Sequence, residues 1–232
     1  DIVTTPDGSS VAMVHCNNCT SEINAWVGLF KEYQQILGVP VKMNDIYNNL
    51  FNVALEGDPD CGGLISYNYV SGEPITGLAE GRPLFVRNAT DKFTLANFMR
   101  SQLYASVGAL KIGNDILFNE ENVKVDRITG HGGLFKTKGV GQRILAAAIN
   151  SPISVMETAG EGGAWGIALL ASYLVHNPKG LSLADFLEEV IFEGERGVEI
   201  APTSADVEGF NSWIEAYKAG LPIERTAVEC KK

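Results

Sequence analysis

Two glycine-rich segments have the residue types and spacing of a ligand-binding site. The first, Asp126–Leu134, reads DRITGHGGL and contains Gly130, Gly132 and Gly133, and the second contains Gly160, Gly162 and Gly163. Because glycine has no side chain, its backbone can approach a flat ligand closely. Helix N-termini offer unpaired N–H groups that suit the polar edge or phosphate of a nucleotide. The two segments therefore predict a site for a planar, polar-edged ligand such as adenine.

Each glycine segment is placed between a strand-like run and a helix-like run. A β-like run ends at the first segment, and the short β-branched run Ile153–Val155 precedes the second. The small-residue run Ala164–Val175 follows the second segment and has helical character. The order strand, glycines, helix thus occurs twice. Two such units side by side predict parallel crossovers and an α/β sheet whose strand ends form a ligand crevice.

The order and spacing of these residues resemble the nucleotide-binding signature in the C-terminal domain of the FGGY carbohydrate kinases. In that family a T-G-G-G-type turn leads into a helix carrying Gln, followed by a P-V strand and an E-x-x-A-x-G-A-A-x-L-A segment. The positions that fit are Gly132, Gly133, Gln142, Pro152, Glu157, Gly163, Gly166, Leu170 and Ala171. The sequence departs from the signature at Val140, where the family usually has tryptophan, and at His131, which interrupts the glycine run.

The resemblance implies an α/β, ribonuclease-H-like fold of the actin-like ATPase superfamily, namely the C-terminal lobe of a two-lobed sugar kinase. It would occupy residues 1–232, with a helical tail at 205–232. In such enzymes the C-terminal lobe holds the adenosine of ATP, and the N-terminal lobe supplies most of the sugar site and the catalytic aspartate. Because the chain opens at Asp1 without the family's D-x-G-T-type phosphate loop, we expect a C-terminal fragment that carries no catalytic residue.

The resemblance also assigns the binding residues and partners. The predicted nucleotide-binding residues are Gly130, Gly132, Gly133, Leu134, Lys136, Gln142, Gly162 and Gly163. Asn17, Asn18 and Asn68 are candidates for lining the cleft between the lobes. The expected cofactor is ATP with Mg²⁺, the magnesium being held mainly by the absent lobe and the phosphates. The expected partners are ATP or ADP and a sugar that binds mainly to the N-terminal lobe, and a homodimer is left open.

The expected function is transfer of the ATP γ-phosphoryl group to a sugar hydroxyl. The G-G-L turn looks more like the ribulokinase and xylulokinase side of the family than like glycerol kinase, which favours a ketopentose such as xylulose or ribulose. The alternative is a non-catalytic actin-like module for oligomerisation, or a different ATPase.

Composition narrows the function classes. The 232 residues are 45% hydrophobic and 20% charged, which is typical of a compact globular domain, here expected to be cytoplasmic. No apolar run approaches the length of a membrane span. The net charge of -10 disfavours a nucleic-acid partner. It also disfavours ATP at long range, so a nucleotide would need magnesium and local cations from Lys136, Lys138 or Arg143.

The four cysteines include one C-x-x-C pair, Cys16 and Cys19, with Cys61 and Cys230 far away. A structural zinc site normally shows two such pairs at suitable spacing, so we predict no metal site. Thiols without a special role are the favoured interpretation. A redox-sensitive pair and a metal site are the alternatives.

Two helices, a pair of tyrosines and an acidic group are expected to have structural roles. A helix with the apolar stripe Ile23–Leu37 is expected to pack on the core. Thr90 is expected to cap a long helix that ends near Asn114. Tyr67 and Tyr69 are expected to be partly exposed and to cover a loop. An acidic group is expected to form a solvated surface: Glu188, Glu189, Glu193 and Glu195.

Overall fold

The computed structural model describes residues 1–40, 42–177, 179–194 and 197–230. Its helices are α1 Ser21–Ile36, α2 Met43–Ala54, α3 Leu95–Asp115, α4 Val140–Ile149, α5 Gly162–Val175, α6 Leu183–Phe186 and α7 Ser204–Glu229. Its strands are β1 Ile2–Thr4, β2 Ser10–Ala12, β3 Ile65–Tyr67, β4 Leu84–Val86, β5 Ile128–Thr129, β6 Ile153–Val155 and β7 Val198–Ile200. Short 3₁₀ turns follow β5 at Gly133–Phe135 and β6 at Glu157–Glu161.

The two glycine segments connect strands of one small sheet to helices. Strands β5 and β6 are parallel, with Ile128 opposite Ile153, and β7 joins β6 in the antiparallel sense, with Ile200 opposite Ile153. Strand β5, a 3₁₀ turn and α4 form the first unit, and β6, a 3₁₀ turn and α5 form the second. The predicted order of strand, glycines and helix is therefore confirmed in both places. The pairs β1–β2 and β3–β4 are separate antiparallel hairpins.

Helix α3 runs through the middle of the domain, and its central residues are buried around the whole circumference. It begins at Leu95, where the Thr94 hydroxyl accepts a hydrogen bond from the Asn97 N–H at 3.2 Å. The expectation that Thr90 caps this helix was therefore wrong. Lys92 N–H donates to the Gly62 carbonyl at 3.0 Å, so the residues just before Thr94 form a loop that contacts Gly62.

A buried ion network links three helices. The Asp206 carboxylate, near the start of α7, is 2% exposed and pairs with Arg100 of α3, also 2% exposed. It accepts a second hydrogen bond from Arg143 Nε of α4 at 2.8 Å and a third from the Thr203 hydroxyl at 2.8 Å. Burial raises the pKa of Asp206, but the hydrogen bonds from Arg143, Thr203 and Arg100 outweigh it, so the pKa lies below its ordinary value. The network therefore stabilises the junction of α3, α4 and α7.

Tyr67, at the end of β3, and Tyr69, just after it, lie in the core, contrary to expectation. Tyr67 is 1% exposed and Tyr69 is 0% exposed. The Tyr67 hydroxyl donates to the Tyr217 carbonyl at 2.9 Å, and the Tyr217 hydroxyl donates to the Tyr69 hydroxyl at 2.6 Å. Partial exposure was predicted, whereas α7 supplies hydrogen-bond partners that allow these hydroxyls to be buried. The predicted helical tail is therefore α7, which packs into the same core, while residues 231 and 232 lie outside the described part of the chain.

The apolar stripe of α1 is only half buried. Ile23 and Val27 are 1% and 0% exposed, whereas Tyr33 and Leu37 are 60% and 58% exposed. The expected packing is therefore confirmed for the first half of the stripe alone.

The acidic group has the expected exposure where the structure describes it. Glu188, Glu189 and Glu193 are exposed, and Glu195 lies outside the described residues.

Across the described ranges, no helix combines the length and the apolar character needed to cross a membrane.

Candidate nucleotide-binding site

The two glycine turns are hydrogen-bonded to each other through their backbones. Gly130 N–H donates to the Ser154 carbonyl of β6 at 2.8 Å, and Gly132 N–H donates to the Ala159 carbonyl of the second turn at 2.8 Å. A Cβ on Gly130 would lie 2.5 Å from the Phe135 ring, so this position needs glycine for packing. These glycines build the strand-to-helix corner, and their N–H groups are already used within it.

The neighbouring glycines Gly132 and Gly133 differ in their requirements. Gly132 has φ 102° and ψ -175°, a backbone conformation that is essentially restricted to glycine. Gly133 lacks such a positive φ, and a Cβ built on it would have no atom within 4 Å. Gly132 therefore shapes the turn, while Gly133 leaves open space beside it.

That open space is part of a cavity of about 370 Å³ between the first glycine turn and helices α1 and α2. Its apolar residues include Ile23 and Phe51, which are 1% and 4% exposed, and the partly buried Leu134. The complete lining is Thr20, Ile23, Asn24, Asn44, Tyr47, Asn48, Phe51, Gly133, Leu134, Lys136 and Thr137. An apolar cavity with a few polar groups is the usual form of a small-molecule site.

Amide side chains from α1 and α2 form the polar part of this cavity. The Asn24 Oδ1 accepts a hydrogen bond from the Tyr47 hydroxyl at 2.8 Å. The Asn48 Oδ1 accepts one from the Thr137 hydroxyl at 2.9 Å, which connects α2 to the glycine turn. Asn44 lies one helical turn before Asn48 and lines the same cavity.

These asparagines were missed by the sequence-based prediction, although a signal existed. Asn44, Asn48 and Asn52 recur at four-residue steps in α2, and Asn49 is adjacent. Asparagine is a poor helix former because its side chain competes for backbone hydrogen bonds. Several asparagines within one short helix therefore indicate a polar helix face that serves in binding rather than in helix stability.

The structure brings only part of the predicted nucleotide-binding set to the cavity. Gly133, Leu134 and Lys136 line it, while the other five predicted residues, Gly130, Gly132, Gln142, Gly162 and Gly163, lie outside its lining.

Two polar side chains named in the sequence analysis, Gln142 and Arg143, form hydrogen bonds within the fold. Gln142 is buried, and its Nε2 donates to the carbonyls of Ile153 at 3.0 Å and Val198 at 2.7 Å, so it ties β6 to β7. Arg143, considered as a local cation for phosphate, pairs with Asp206.

The three asparagines considered for the interlobe cleft belong to one polar network, in which Asn18 and Asn68 are buried and Asn17 is exposed. Asn18 and Asn68 are each 1% exposed. Glu73 Oε2 accepts hydrogen bonds from the backbone N–H groups of Asn17 and Asn18 at 3.0 and 3.1 Å. Asn68 Nδ2 donates to the Asn18 carbonyl at 2.6 Å and to the Cys19 carbonyl at 2.7 Å. Asn18 and Asn68 therefore hold two loops together in this structure, and their place beside an interlobe cleft stays a prediction.

The C-x-x-C pair lies in the same loop as free thiols. Burial, with a smaller contribution from Glu73, raises the pKa of Cys16 to about 12. The same two causes raise the pKa of Cys19. Because the thiolate is the form that attacks and that binds metals, these thiols are in their unreactive form at neutral pH.

We predict that zinc does not bind stoichiometrically at Cys16 and Cys19. Two thiols leave a tetrahedral site incomplete, and their raised pKa opposes the deprotonation that zinc binding requires. Elemental analysis of the purified chain measures this directly. One tightly held zinc per chain, lost in the Cys16→Ser variant, would overturn the prediction.

Comparison with known proteins defines the class of this domain. A family model described as the C-terminal domain of the FGGY family of carbohydrate kinases matches residues 1–175. The match includes both glycine turns, α1 and α2, and thus every residue that lines the cavity. The chain belongs to the FGGY family of carbohydrate kinases and contains its C-terminal domain.

Solved structures show the same fold. Xylulose kinase from Rhodospirillum rubrum matches with a TM-score of 0.62 at 17% identity, over 90% of this chain and 38% of that one. Gluconate kinase from Lactobacillus acidophilus matches with a TM-score of 0.61 at 20% identity, over 93% and 39%. Plasmodium falciparum glycerol kinase with ADP matches with a TM-score of 0.56 at 16% identity, over 86% and 37%. At these identities the likeness shows the fold alone, and that fold agrees with the C-terminal domain identified by the family match.

The chain spans well under half the length of these structures, as the 38% coverage of the xylulose kinase shows. A search of curated proteins gave no match.

Proposed function

We propose that this chain is the ATP-binding lobe of a carbohydrate kinase and that the adenosine of ATP occupies the cavity beside Gly133. The observation that carries the proposal is the cavity itself, because it joins the predicted glycine turn to an apolar floor and a rim of amides. A purine is a flat apolar ring with polar edges, and such a lining complements both of its features. The structural likeness to a glycerol kinase solved with ADP supports the proposal.

Each part of the lining has a proposed task. Ile23, Phe51 and Leu134 contact the faces of the base, and the backbone at Gly133 allows the ring to approach. Lys136 supplies positive charge beside the turn, which offsets the net charge of -10 for an anionic ligand. Phosphoryl transfer depends on positioning and on neutralising the phosphates. We assign Mg²⁺ to the phosphates and the N-terminal lobe, because among the described residues no group of three His, Cys, Asp or Glu is placed to hold a metal ion.

The acceptor is proposed to be a ketopentose such as xylulose or ribulose. The G-G-L turn supports this class of sugar, while the fold matches a xylulose kinase and a gluconate kinase almost equally well, at TM-scores of 0.62 and 0.61. We propose that the N-terminal lobe provides most of the sugar site and the catalytic aspartate. A cytoplasmic location also stays a prediction, and homodimer formation stays open.

We expect the chain to fold, to bind ADP and ATP, and to phosphorylate no sugar. Calorimetric titration measures the binding, thermal unfolding reports the fold, and coupled assays with xylulose and ribulose measure turnover. A two-lobed xylulose kinase assayed in parallel provides the positive control.

Two outcomes would contradict this function. Turnover of either pentulose by the chain would show that it contains a complete active site. A well-folded chain without nucleotide affinity would favour the alternative, a non-catalytic module with the same fold.

A further inference from the structure

The amides of Asn24 and Asn48, two residues that are exposed, line the cavity with their carbonyl oxygens already hydrogen-bonded. In each, the carbonyl oxygen accepts a hydroxyl hydrogen bond, from Tyr47 at 2.8 Å and from Thr137 at 2.9 Å. Neither amide nitrogen has a hydrogen-bond acceptor among the described residues, and both residues line the cavity. The cavity therefore presents two NH₂ groups whose oxygen ends are already committed.

The Thr137 hydroxyl favours the orientation in which the Asn48 carbonyl oxygen points toward it. Thr137 is 5% exposed, and Asn48 Oδ1 is the acceptor that the described structure gives its O–H group. Turning the amide of Asn48 by 180° would put an NH₂ group against this hydroxyl and leave the buried O–H without its acceptor. A buried donor without a partner is unfavourable, because it has lost its hydrogen bonds to water.

We infer that Asn24 and Asn48 recognise the base by donating hydrogen bonds to acceptor nitrogens of the purine ring, and that Tyr47 and Thr137 are positioning residues for these donors. The inference rests on the proposed nucleotide site and specifies how that site selects its ligand. A ligand that brings acceptors to this rim satisfies both amide groups, whereas one that brings only donors or C–H groups leaves them unpaired.

Deaza analogues of ATP test the inference, because each replaces one ring nitrogen by C–H and so removes one acceptor. The affinities of ATP and of 1-deaza-, 3-deaza- and 7-deaza-ATP are measured for the chain and for the Asn24→Ala and Asn48→Ala variants. We expect at least one analogue to bind the unchanged chain about three- to tenfold more weakly than ATP. That ratio should fall to near one in the variant that lacks the corresponding donor.

Two further variants separate recognition from general structural effects. Asn49→Ala changes an adjacent exposed asparagine of α2 that lies outside the cavity lining, and it should keep the full analogue ratio. Thr137→Val preserves the shape of the side chain but frees the Asn48 amide to turn. We expect it to reduce the analogue ratio while the melting temperature changes little, an effect that simple packing would not produce.

The outcomes are distinguishable. If ATP does not bind the unchanged chain, both the nucleotide site and this inference are wrong. If ATP binds but every analogue binds equally well, or if all variants retain the same ratios, the site stands and the inference is overturned.

Discussion

Replacing Gly133 by valine is expected to weaken nucleotide binding strongly while the chain remains stably folded. The position tolerates a side chain, because its φ is not positive and a built Cβ meets no atom within 4 Å. The valine side chain would instead occupy space in the cavity where the base should lie. We expect affinity for ADP to fall by about tenfold or more, equivalent to about 1.4 kcal/mol. Calorimetric titration and thermal unfolding measure the two quantities on the same sample.

The matched control is the same substitution one residue earlier. Gly132→Val places a β-branched residue at φ 102°, so it should destabilise the fold by about 1–3 kcal/mol through backbone strain. If Gly132→Val loses stability and Gly133→Val does not, then Gly132 is required for the conformation of the turn and Gly133 only for space in the cavity. Unchanged affinity in a stable Gly133→Val protein would remove the base from this cavity.

Replacing Asp206 by asparagine should have the largest effect on stability that the structure predicts. The substitution keeps the size of the side chain but leaves Arg100, at 2% exposure, without a countercharge. Breaking a buried ion pair by removing one partner typically costs about 3–5 kcal/mol. Urea unfolding of the variant and the unchanged chain measures the difference in the free energy of unfolding.

Glu215→Gln is the control, because Glu215 pairs with Lys218 on the same helix but is 72% exposed. Exposed pairs contribute about 0–1 kcal/mol, so this variant should unfold near the unchanged chain. Equal stability of the two variants would show that the network around Asp206 contributes no more than a surface pair.

The same carboxylate makes the stability depend on acid pH. The folded-state pKa of Asp206 lies below its ordinary value of 3.8, because the hydrogen bonds from Arg143, Thr203 and Arg100 outweigh burial. Its contribution is therefore complete above about pH 3.8 and is lost as the pH falls through the folded-state pKa. The Asp206→Asn variant should lose less stability than the unchanged chain over this acid range.

The turn region could be predicted from sequence because its determinants are local. β-branched runs, glycines and small-residue helices follow one another within each unit, so the order β5, turn, α4 and β6, turn, α5 can be derived without tertiary information. The rim of the cavity could not be derived in this way. The Thr137–Asn48 hydrogen bond joins residues 89 positions apart, and sequence periodicity carries no information about such a contact.

The wrong expectations share a physical cause, which is that distant segments supply the partners of polar groups. Tyr67 and Tyr69 were expected to be partly exposed, yet both are buried and hydrogen-bonded to Tyr217 of α7. The amide nitrogen of Gln142 likewise donates to carbonyls on two strands, while its predicted contact with nucleotide stays a prediction. Thr90 was expected to cap α3, but the cap is Thr94, after a loop in which Lys92 N–H donates to the Gly62 carbonyl. Local sequence identifies the polar residue, while its partner is fixed by the fold.

The position of α7 has a practical consequence for how this domain is delimited. The family match ends at residue 175, but Phe210, Trp213 and Tyr217 are 0%, 1% and 0% exposed in the same core as β3 and α3. The Trp213 indole N–H also donates to the Leu64 carbonyl at 3.1 Å. An expression boundary drawn at the end of the match would remove these side chains and leave an open apolar trench along β3. The smallest piece suitable for crystallisation or for a binding assay therefore extends through α7, well beyond the segment by which the family is recognised.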